Sequence, residues 1–475
     1  MEKFKKLMAV AMASLMAAAS LTACSSSESA SSAAEKSAES GSEASSGSTV
    51  KEGEEIYFLN FKPEIADQYK AIAEDYEKET GIKVNVQTAA SGTYEATLKS
   101  EIAKADPPTI FQINGPIGYS NWKDYCADLK ETKLYSYLTD QSLAVTDGDG
   151  VYGIPYSMEG YGLIYNNAIM QKYFALSDKG TSFSSVDDID NFEKLKSAAE
   201  DMTKHKDELG IKGVFASTSL TPGEDWRWQT HLLNIPMYYE FKDEDMDANT
   251  VTTGVAANEI KFTYAKNFKN IFDLYLNNST TAKTLLGSKS VDDSMSEFAL
   301  GQCAMVQNGE WAWSQISKVE GNVVKESDIK MMPIYTGVDG EEKNGICVGT
   351  ENYFAINKKV SASKQQASAD FLNWLFSSEK GKDYVLNKLG FIAPFNTFSD
   401  SERPSDPLSK EVLNWMAKDG KTSIPWTFEC FPSQNFKDAV GAALLEYAQG
   451  GKDWDNVQNT VITTWKSEKA ASAAS

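Results

Sequence analysis

Apolar positions beyond residue 53 alternate between two spacings. Residues 56–60, 83–87 and 109–113 are short runs rich in β-branched and aromatic side chains, which predicts strands. Between the first two runs, apolar side chains recur at helical spacing up to Gly81, and residues 94–104 repeat that spacing between the second and third. Strands that alternate with helices are typical of a parallel or mixed sheet covered on both faces. The pattern predicts an α/β fold whose ligand lies beyond the carboxyl ends of the strands.

The same alternation continues toward the C-terminus. Residues 353–357 are predicted to form a strand, and Ser363 is predicted to cap the helix that follows. Ser433 is predicted to cap a later helix that ends near Gly450. About 420 residues follow residue 53, more than one hydrophobic core usually supports, so we expect two lobes.

The N-terminus has the layout of a secretory signal. Lys3, Lys5 and Lys6 precede an apolar run at 7–19 that is too short to cross a bilayer, and no later run approaches the roughly 20 apolar residues that a membrane helix needs. The run leads into Leu-Thr-Ala-Cys24, which resembles the lipobox of bacterial lipoproteins. That resemblance implies a signal peptide at 1–23 and a lipid anchor on Cys24; the alternative is an ordinary signal followed by a chance cysteine.

Residues 24–53 consist mainly of Ser, Ala, Glu and Gly, a composition typical of a flexible tether. Loss of residues 1–23, with three lysines and one glutamate, changes the formal charge from −21 to −23. An acidic chain without a Lys/Arg cluster disfavours nucleic acid as a partner.

Motifs for metal, nucleotide or triad chemistry are poorly represented. Cys126, Cys303, Cys347 and Cys430 form no CxxC pair, and the sequence leaves open whether they are free or make two disulfides. The GxGxxG at 148–153 leads into a strand and not into a helix, so it predicts a turn. With two histidines in the chain, we expect no metal and no cofactor.

Four blocks in one order resemble bacterial extracellular solute-binding proteins of family 1, the maltose-binding-protein-like group. They are DYEKETGIKV at 75–84, PPTIF at 107–111, YGIPY at 152–156 followed by Glu159 and LIYN at 163–166, and NGEWAW at 308–313. The resemblance implies two hinged α/β lobes with a ligand cleft between them. The implied ranges are 54–160 with 337–376 for lobe 1, and 161–336 with 377–470 for lobe 2.

A sugar presents apolar C–H faces ringed by hydroxyls, so its site needs flat aromatic side chains together with carboxylates and amides. Two tryptophans two residues apart cannot share one helical face. By resemblance Trp311 stacks on sugar, Trp313 is core, and Glu310 replaces a proline and adds an acceptor. In the segment at 223–228 we expect Trp226 to be the second stacking residue, with Asp225 and Arg227 binding hydroxyls.

The alternatives are purely structural roles: both tryptophans of the 308–313 block pack in the core, and Arg227 pairs with an acidic neighbour to stabilise its loop. Residues near strand ends form a third candidate group, for which an ordinary solvated role is about equally expected: Lys62, Glu64, Asn114, Tyr156, Glu159, Glu351 and Asn352. By resemblance, Lys62, Asn114 and Glu159 contact hydroxyls, although Asn114 replaces a residue that is often acidic. Trp426, Phe428 and Phe431 are predicted as rim platforms that favour an oligosaccharide.

Together these features predict a monomeric, lipid-anchored protein on the outer face of the cell membrane. It would bind an oligosaccharide without changing it and deliver it to the permease of an ABC importer. The alternatives are a secreted glycoside hydrolase, which needs only two suitably spaced carboxylates, a binder of a non-sugar solute, and a structural or adhesive lipoprotein. The sequence does not identify the sugar.

Overall fold

The computed structural model describes residues 54–90, 92–245, 249–350, 352–399 and 401–474, with side chains to residue 472. Its strands, in chain order, are Glu55–Asn60 (β1), Lys83–Thr88 (β2), Ile110–Asn114 (β3), Val145–Asp147 (β4), Gly150–Pro155 (β5), Glu159–Asn166 (β6), Gly213–Phe215 (β7), Cys303–Gly309 (β8), Ile329–Met332 (β9), Asn344–Gly349 (β10), Asn352–Ile356 (β11) and Thr422–Pro425 (β12).

The helices are Ala66–Thr80 (α1), Tyr94–Glu101 (α2), Gly115–Trp122 (α3), Lys133–Ser136 (α4), Asn167–Ala175 (α5), Phe192–Lys204 (α6), Lys206–Leu209 (α7), Leu233–Glu244 (α8), Thr250–Ala256 (α9), Ala265–Asn277 (α10), Val291–Ala299 (α11), Trp313–Ile316 (α12), Ala362–Ser377 (α13), Glu379–Tyr384 (α14), Pro407–Met416 (α15), Gln434–Ala448 (α16) and Trp454–Ala474 (α17). Among the described residues, no helix is long and apolar enough to cross a membrane.

Two mixed sheets organise these elements, one in each lobe. The first has the order β2-β1-β3-β11-β5-β4, and the second has the order β12-β10-β6-β8-β7 with β9 also paired to β6. Strand β1 is parallel to β2 and β3, whereas β11 is antiparallel to β3 and β5. The predicted α/β fold with two lobes is confirmed.

Each sheet separates two layers of apolar side chains. In β1, Ile56 and Phe58 pack into one cluster with α1 and α13, while Tyr57 and Leu59 pack into another with α2. This alternation follows from the two-residue period of a strand. Similarly, Leu163 and Ile164 in β6 pack on opposite faces of the second sheet.

The chain crosses between the lobes next to the point where the two sheets meet. Strand β5 ends at Pro155 in the first sheet and β6 begins at Glu159 in the second, while β10 and β11 make the reverse crossing. Strand β10 pairs in the second sheet, and Val385 and Phe395 pack in the core of the first. The ranges given above for the lobes stay a prediction.

Two of the helix ends predicted from the sequence agree with the structure, and a third does not. Gly81 ends α1 with a φ of 74°, and the Ser433 hydroxyl accepts a hydrogen bond from the Phe436 N–H, both as expected. The predicted cap at Ser363 is wrong, because Ser361 accepts from the Lys364 N–H and the helix begins at residue 362. The N-terminal signal, Cys24 and the tether lie outside the described residues.

Gly162 tests how tightly β6 fits between its neighbours. A Cβ there would overlap the Met332 carbonyl oxygen in β9, whereas a Cβ at Gly345 in β10 would have its nearest neighbour at 3.6 Å. We expect Gly162→Ala to lower the free energy of unfolding by about 1–3 kcal/mol because the backbone of β9 must shift. Gly345→Ala should leave it unchanged or slightly raised. Urea unfolding of the two variants measures the difference, and equal stabilities would contradict the packing described here.

Candidate functional site

A cavity of about 930 Å³ lies between the two lobes. Lobe 1 contributes residues that follow β1 and the end of β3, as expected for a sheet of this type. Lobe 2 contributes the start of β6, the loop at 220–226, the residue after Glu310 and one face of α16. Seven of the twelve predicted ligand-binding residues line this cavity: Lys62, Glu64, Asn114, Glu159, Asp225, Trp226 and Trp311.

A buried ion pair lies at the base of the cavity. Lys62 Nζ is 2.6 Å from Glu159 Oε1 and 3.8 Å from Glu64 Oε1, so it connects the turn after β1 to the first residue of β6. The Asn60 side chain fixes that turn, because it donates to the Lys62 carbonyl and accepts from the Lys62 N–H. Attraction to Glu159 and Glu64 outweighs burial and raises the pKa of Lys62, so the lysine is charged.

Glu310 adds a third carboxylate to this group. Its Oε2 accepts a hydrogen bond of 2.8 Å from the Gly160 N–H, and the side chain is buried. Burial and the nearby charge of Glu159 raise the pKa of Glu310 well above its usual range, and burial likewise raises the pKa of Glu64. One lysine therefore faces more acidic groups than it can neutralise, and Glu310 is the group that retains a proton most readily.

Trp226 and Trp311 belong to an aromatic cluster that forms one wall. Their ring centroids are 6.0 Å apart with an interplanar angle of 50°, and both side chains are half-buried. His231 packs between Trp226, Trp311 and Tyr161, stacked on the Tyr161 ring at 4.2 Å. Burial lowers the pKa of His231 well below its usual range, so the imidazole is neutral and acts as an aromatic surface.

Local backbone features set the positions of both tryptophans. A Cβ at Gly309 would overlap the Trp311 ring, which explains the glycine before Glu310. Trp226 immediately precedes a π-helical turn, Arg227–Leu232, a distortion that is frequent at functional sites. Trp313 lies in α12 and packs against the apolar cluster that contains Ile164 of β6.

Arg227 supports Trp226 from behind. Its guanidinium carbon is 4.6 Å from the centroid of the Trp226 ring, and the side chain is fully buried. The guanidinium makes no hydrogen bond to the part of the chain that is described, and burial lowers its pKa to about 10. Arg227 thus contacts a cavity residue without lining the cavity.

The remaining predicted site residues lie near the cavity or outside the described residues. Tyr156 packs between Phe354 and Phe391 in the core of lobe 1, and Asn352 is buried at the start of β11, where it is paired with Asn114. Neither residue lines the cavity, and Glu351 is outside the described residues. The predicted rim platforms are wrong in position, since Trp426, Phe428 and Phe431 are each at most 2% exposed.

The model for the family of bacterial extracellular solute-binding proteins matches residues 71–412. This chain belongs to that family. The resemblance stated from the four sequence blocks is therefore confirmed at the family level. No curated protein sequence matches the chain.

Solved structures share the two-lobed fold of this solute-binding protein at low sequence identity. A chitin oligosaccharide binding protein has a TM-score of 0.65 at 15% identity, with 88% of this chain and 99% of that chain covered. The solute-binding protein RafE in complex with raffinose has a TM-score of 0.65 at 16% identity, with 87% of this chain and 99% of that chain covered. A sugar transporter protein from Bacillus licheniformis in complex with stachyose has a TM-score of 0.63 at 17% identity, with 87% of this chain and 100% of that chain covered. These similarities establish the fold.

Other residues of this solute-binding protein line the cavity and were not predicted from the sequence. Tyr94, Glu95 and Gln229 line the cavity, as does a face of α16 that includes Lys437 and Gly441. The signal for α16 was the run Gly-Ala-Ala at 441–443 within a helix, because small residues there allow close approach of another group.

The four cysteines after Cys24 are free and buried. Of the two alternatives that the sequence left open, free thiols or two disulfides, the structure therefore has free thiols.

Removal of Lys62 should be costly because it leaves buried carboxylates without their cation. We expect Lys62→Met to lower the free energy of unfolding by about 3–5 kcal/mol at pH 7. The matched control is Lys83→Met, which breaks the exposed 2.8 Å pair with Glu55 and should cost far less, because solvent screens an exposed pair. Chemical denaturation distinguishes the two; a loss for Lys62→Met no larger than that of the control would show that the buried pair does not hold the lobes.

Glu310 should make stability depend on pH in a defined direction. Its folded pKa is raised above the usual 4.5, so its contribution to stability is complete below about pH 4.5 and declines as the pH rises toward the folded value. Glu310→Gln keeps an acceptor for the Gly160 N–H and removes this decline. Thermal unfolding between pH 4.5 and 8 should show a shallower loss for the variant than for wild type, whereas the exposed Glu77→Gln should match wild type.

Proposed function

We propose that this chain is the extracytoplasmic substrate-binding subunit of a carbohydrate ABC importer. It binds an oligosaccharide in the cavity between its lobes and delivers it unchanged to the membrane permease. A lipid on Cys24 holds the chain at the outer face of the cell membrane. The observation that carries the proposal is the position of Trp226 and Trp311 beside a buried set of carboxylates and amides in one interlobe cavity. Aromatic faces bind the C–H surfaces of a sugar and the polar groups bind its hydroxyls.

The dimensions of the cavity favour a ligand with more than one sugar ring. Its volume of about 930 Å³ is at the upper end of the range of roughly 300–1,000 Å³ for small-molecule sites. The raffinose and stachyose bound in two of the similar structures are both oligosaccharides, which is consistent with this class of ligand.

Binding by closure of the lobes follows from where the contacts lie. Lys62 and Asn114 are in lobe 1, whereas Glu159, Trp226 and Trp311 are in lobe 2, so a ligand that contacts both sets stabilises the closed state. Gly92 and Gly223 meet at another interlobe contact, where a Cβ on Gly92 would lie 2.5 Å from the Gly223 carbonyl oxygen. The permease then recognises the closed form.

A glycoside hydrolase would need a general acid and a second carboxylate free to act on the sugar. Here Glu159 is paired with Lys62, and Glu310 is buried and held by the Gly160 N–H. These partners disfavour a catalytic role for either carboxylate. Recovery of the ligand intact after incubation, checked by mass spectrometry, tests this part of the proposal.

A thermal-unfolding screen names the ligand class. We expect at least one oligosaccharide, and no amino acid or peptide, to raise the melting temperature of the purified protein, since a ligand at 100 times its Kd stabilises the folded state by about 2.7 kcal/mol. A panel in which only peptides stabilise the protein would overturn the sugar assignment and leave the family unaffected. A hit recovered as fragments would instead indicate a hydrolase.

Trp311 provides the residue-level test. Trp311→Ala should weaken oligosaccharide binding by about 1–3 kcal/mol, or roughly tenfold or more in Kd, because a stacking surface is lost. The control is Trp374→Ala in α13, which removes a tryptophan bonded to Glu79 in lobe 1, outside the cavity. Isothermal titration calorimetry gives both constants, and an unchanged Kd for Trp311→Ala would place the sugar elsewhere.

A further inference from the structure

Asp225 is a buried carboxylate that is directed into the cavity without a cation of its own. The side chain lines the cavity and is 3% exposed, and its Oδ1 has no hydrogen-bond partner among the described residues. It makes no ion pair with any described residue. The donors beside the carboxylate, the Gln229 side chain and backbone N–H groups of the 223–225 loop, are neutral. A buried carboxylate without a cation is costly, so this position calls for a positively charged group that no described residue supplies.

The neighbouring charges do not supply that group. Arg227 is attracted to Glu224 and Asp292 and lies behind the Trp226 ring. Lys437 acts on Glu95 and on His231, and it is not among the charges that act on Asp225. The charged group that acts on Asp225 is Asp438, another carboxylate, and together with burial it raises the pKa of Asp225 to about 6.

The sequence of α16 makes room for this carboxylate. A Cβ at Gly441 would overlap Asp225 Oδ2, so the helix carries a glycine in its interior, where glycine costs about 1 kcal/mol relative to alanine. Two separate segments therefore set the position of the Asp225 carboxylate, the loop before the π-helical turn and the middle of α16.

The cavity as a whole is acidic. Eight carboxylates and two lysines line it, and one of those lysines, Lys62, is already paired with Glu159. A concave surface with this excess attracts cations and repels anions. Uronic acids and sulfated sugars are thus poor candidates, and a sugar that carries an ammonium group suits both the charge and the aromatic wall, because a cation is attracted to a tryptophan face as well.

We propose that the cavity binds an amino sugar, an oligosaccharide with at least one unacetylated amino group, and that the ammonium donates to Asp225 while the ring contacts Trp226. This inference rests on the proposed function and adds the charge of the ligand to it. Asp225 acts as the residue that distinguishes an ammonium from a hydroxyl or an acetamide at the same carbon.

The test compares ligands that differ only at that carbon. Calorimetry at pH 7 is done with β-1,4-linked tetramers of glucosamine, of glucose and of N-acetylglucosamine, and with the monosaccharide pairs glucosamine and glucose, galactosamine and galactose, and mannosamine and mannose. We expect the amine member of at least one set to bind at least tenfold tighter than its hydroxyl and acetamide counterparts. Asp225→Asn should reduce that preference to less than threefold, whereas Asp207→Asn, an exposed change of equal charge on α7, should preserve it.

The outcomes separate this inference from the proposed function. If neutral sugars bind as tightly as their amine counterparts, or if the preference persists in a folded Asp225→Asn variant, the amino-sugar inference is overturned and the carbohydrate proposal stands. If spermidine binds as tightly as the best amine, the site recognises charge alone and the inference is again overturned. If no sugar of any kind binds, both proposals fail. Thermal unfolding of Asp225→Asn confirms that the variant is folded.

Discussion

The ion pair between Lys62 and Glu159 is the contact on which the geometry of the cleft depends. It is buried and short at 2.6 Å, and it joins the turn that follows β1 of the first sheet to the first residue of β6 in the second. An isolated charge at this depth is unfavourable, so each partner holds the other at the cavity base. Around this pair the first strand of lobe 1 ends, the second sheet begins, and Glu310 is retained by the adjacent Gly160 N–H.

The pair joins the two lobes at the base of the cavity. Lys62 Nζ also lies 5.3 Å from the centroid of the Trp311 ring, so the same ammonium lies beside a carboxylate and an indole ring of the cavity wall. A ligand that enters beside Trp311 is therefore next to charges that are already oriented. Preorganisation of this kind reduces the ordering that binding would otherwise require.

The fold is predictable from the sequence where the spacing of apolar residues is regular over one strand or helix. Residues of the site are predictable only where they lie at the ends of predicted strands. The first strand, helix and second strand followed from spacing, and Lys62, Asn114 and Glu159 followed from their places at strand ends. Ser361 and Ser363 are equivalent in sequence, and only the backbone decides which serine caps α13. Trp426 was placed at the rim because an aromatic-rich segment looks the same whether it packs inward or outward. The face of α16 that lines the cavity was not predicted, because α16 is far from Asp225 in the sequence although the two are close in the structure.

Several buried polar atoms at the cavity or directly behind its wall have no partner among the described residues. Asn114 Oδ1, Asp225 Oδ1, His231 Nδ1 and the Arg227 guanidinium all lack hydrogen bonds among the described residues, although buried polar groups are satisfied in most proteins. Stability alone would favour replacing or pairing them. Asn114 Oδ1 and Asp225 Oδ1 lie on the two sides of one cleft, and their persistence is explained if a polar ligand completes both, because the free energy withheld in the empty state is then released on binding.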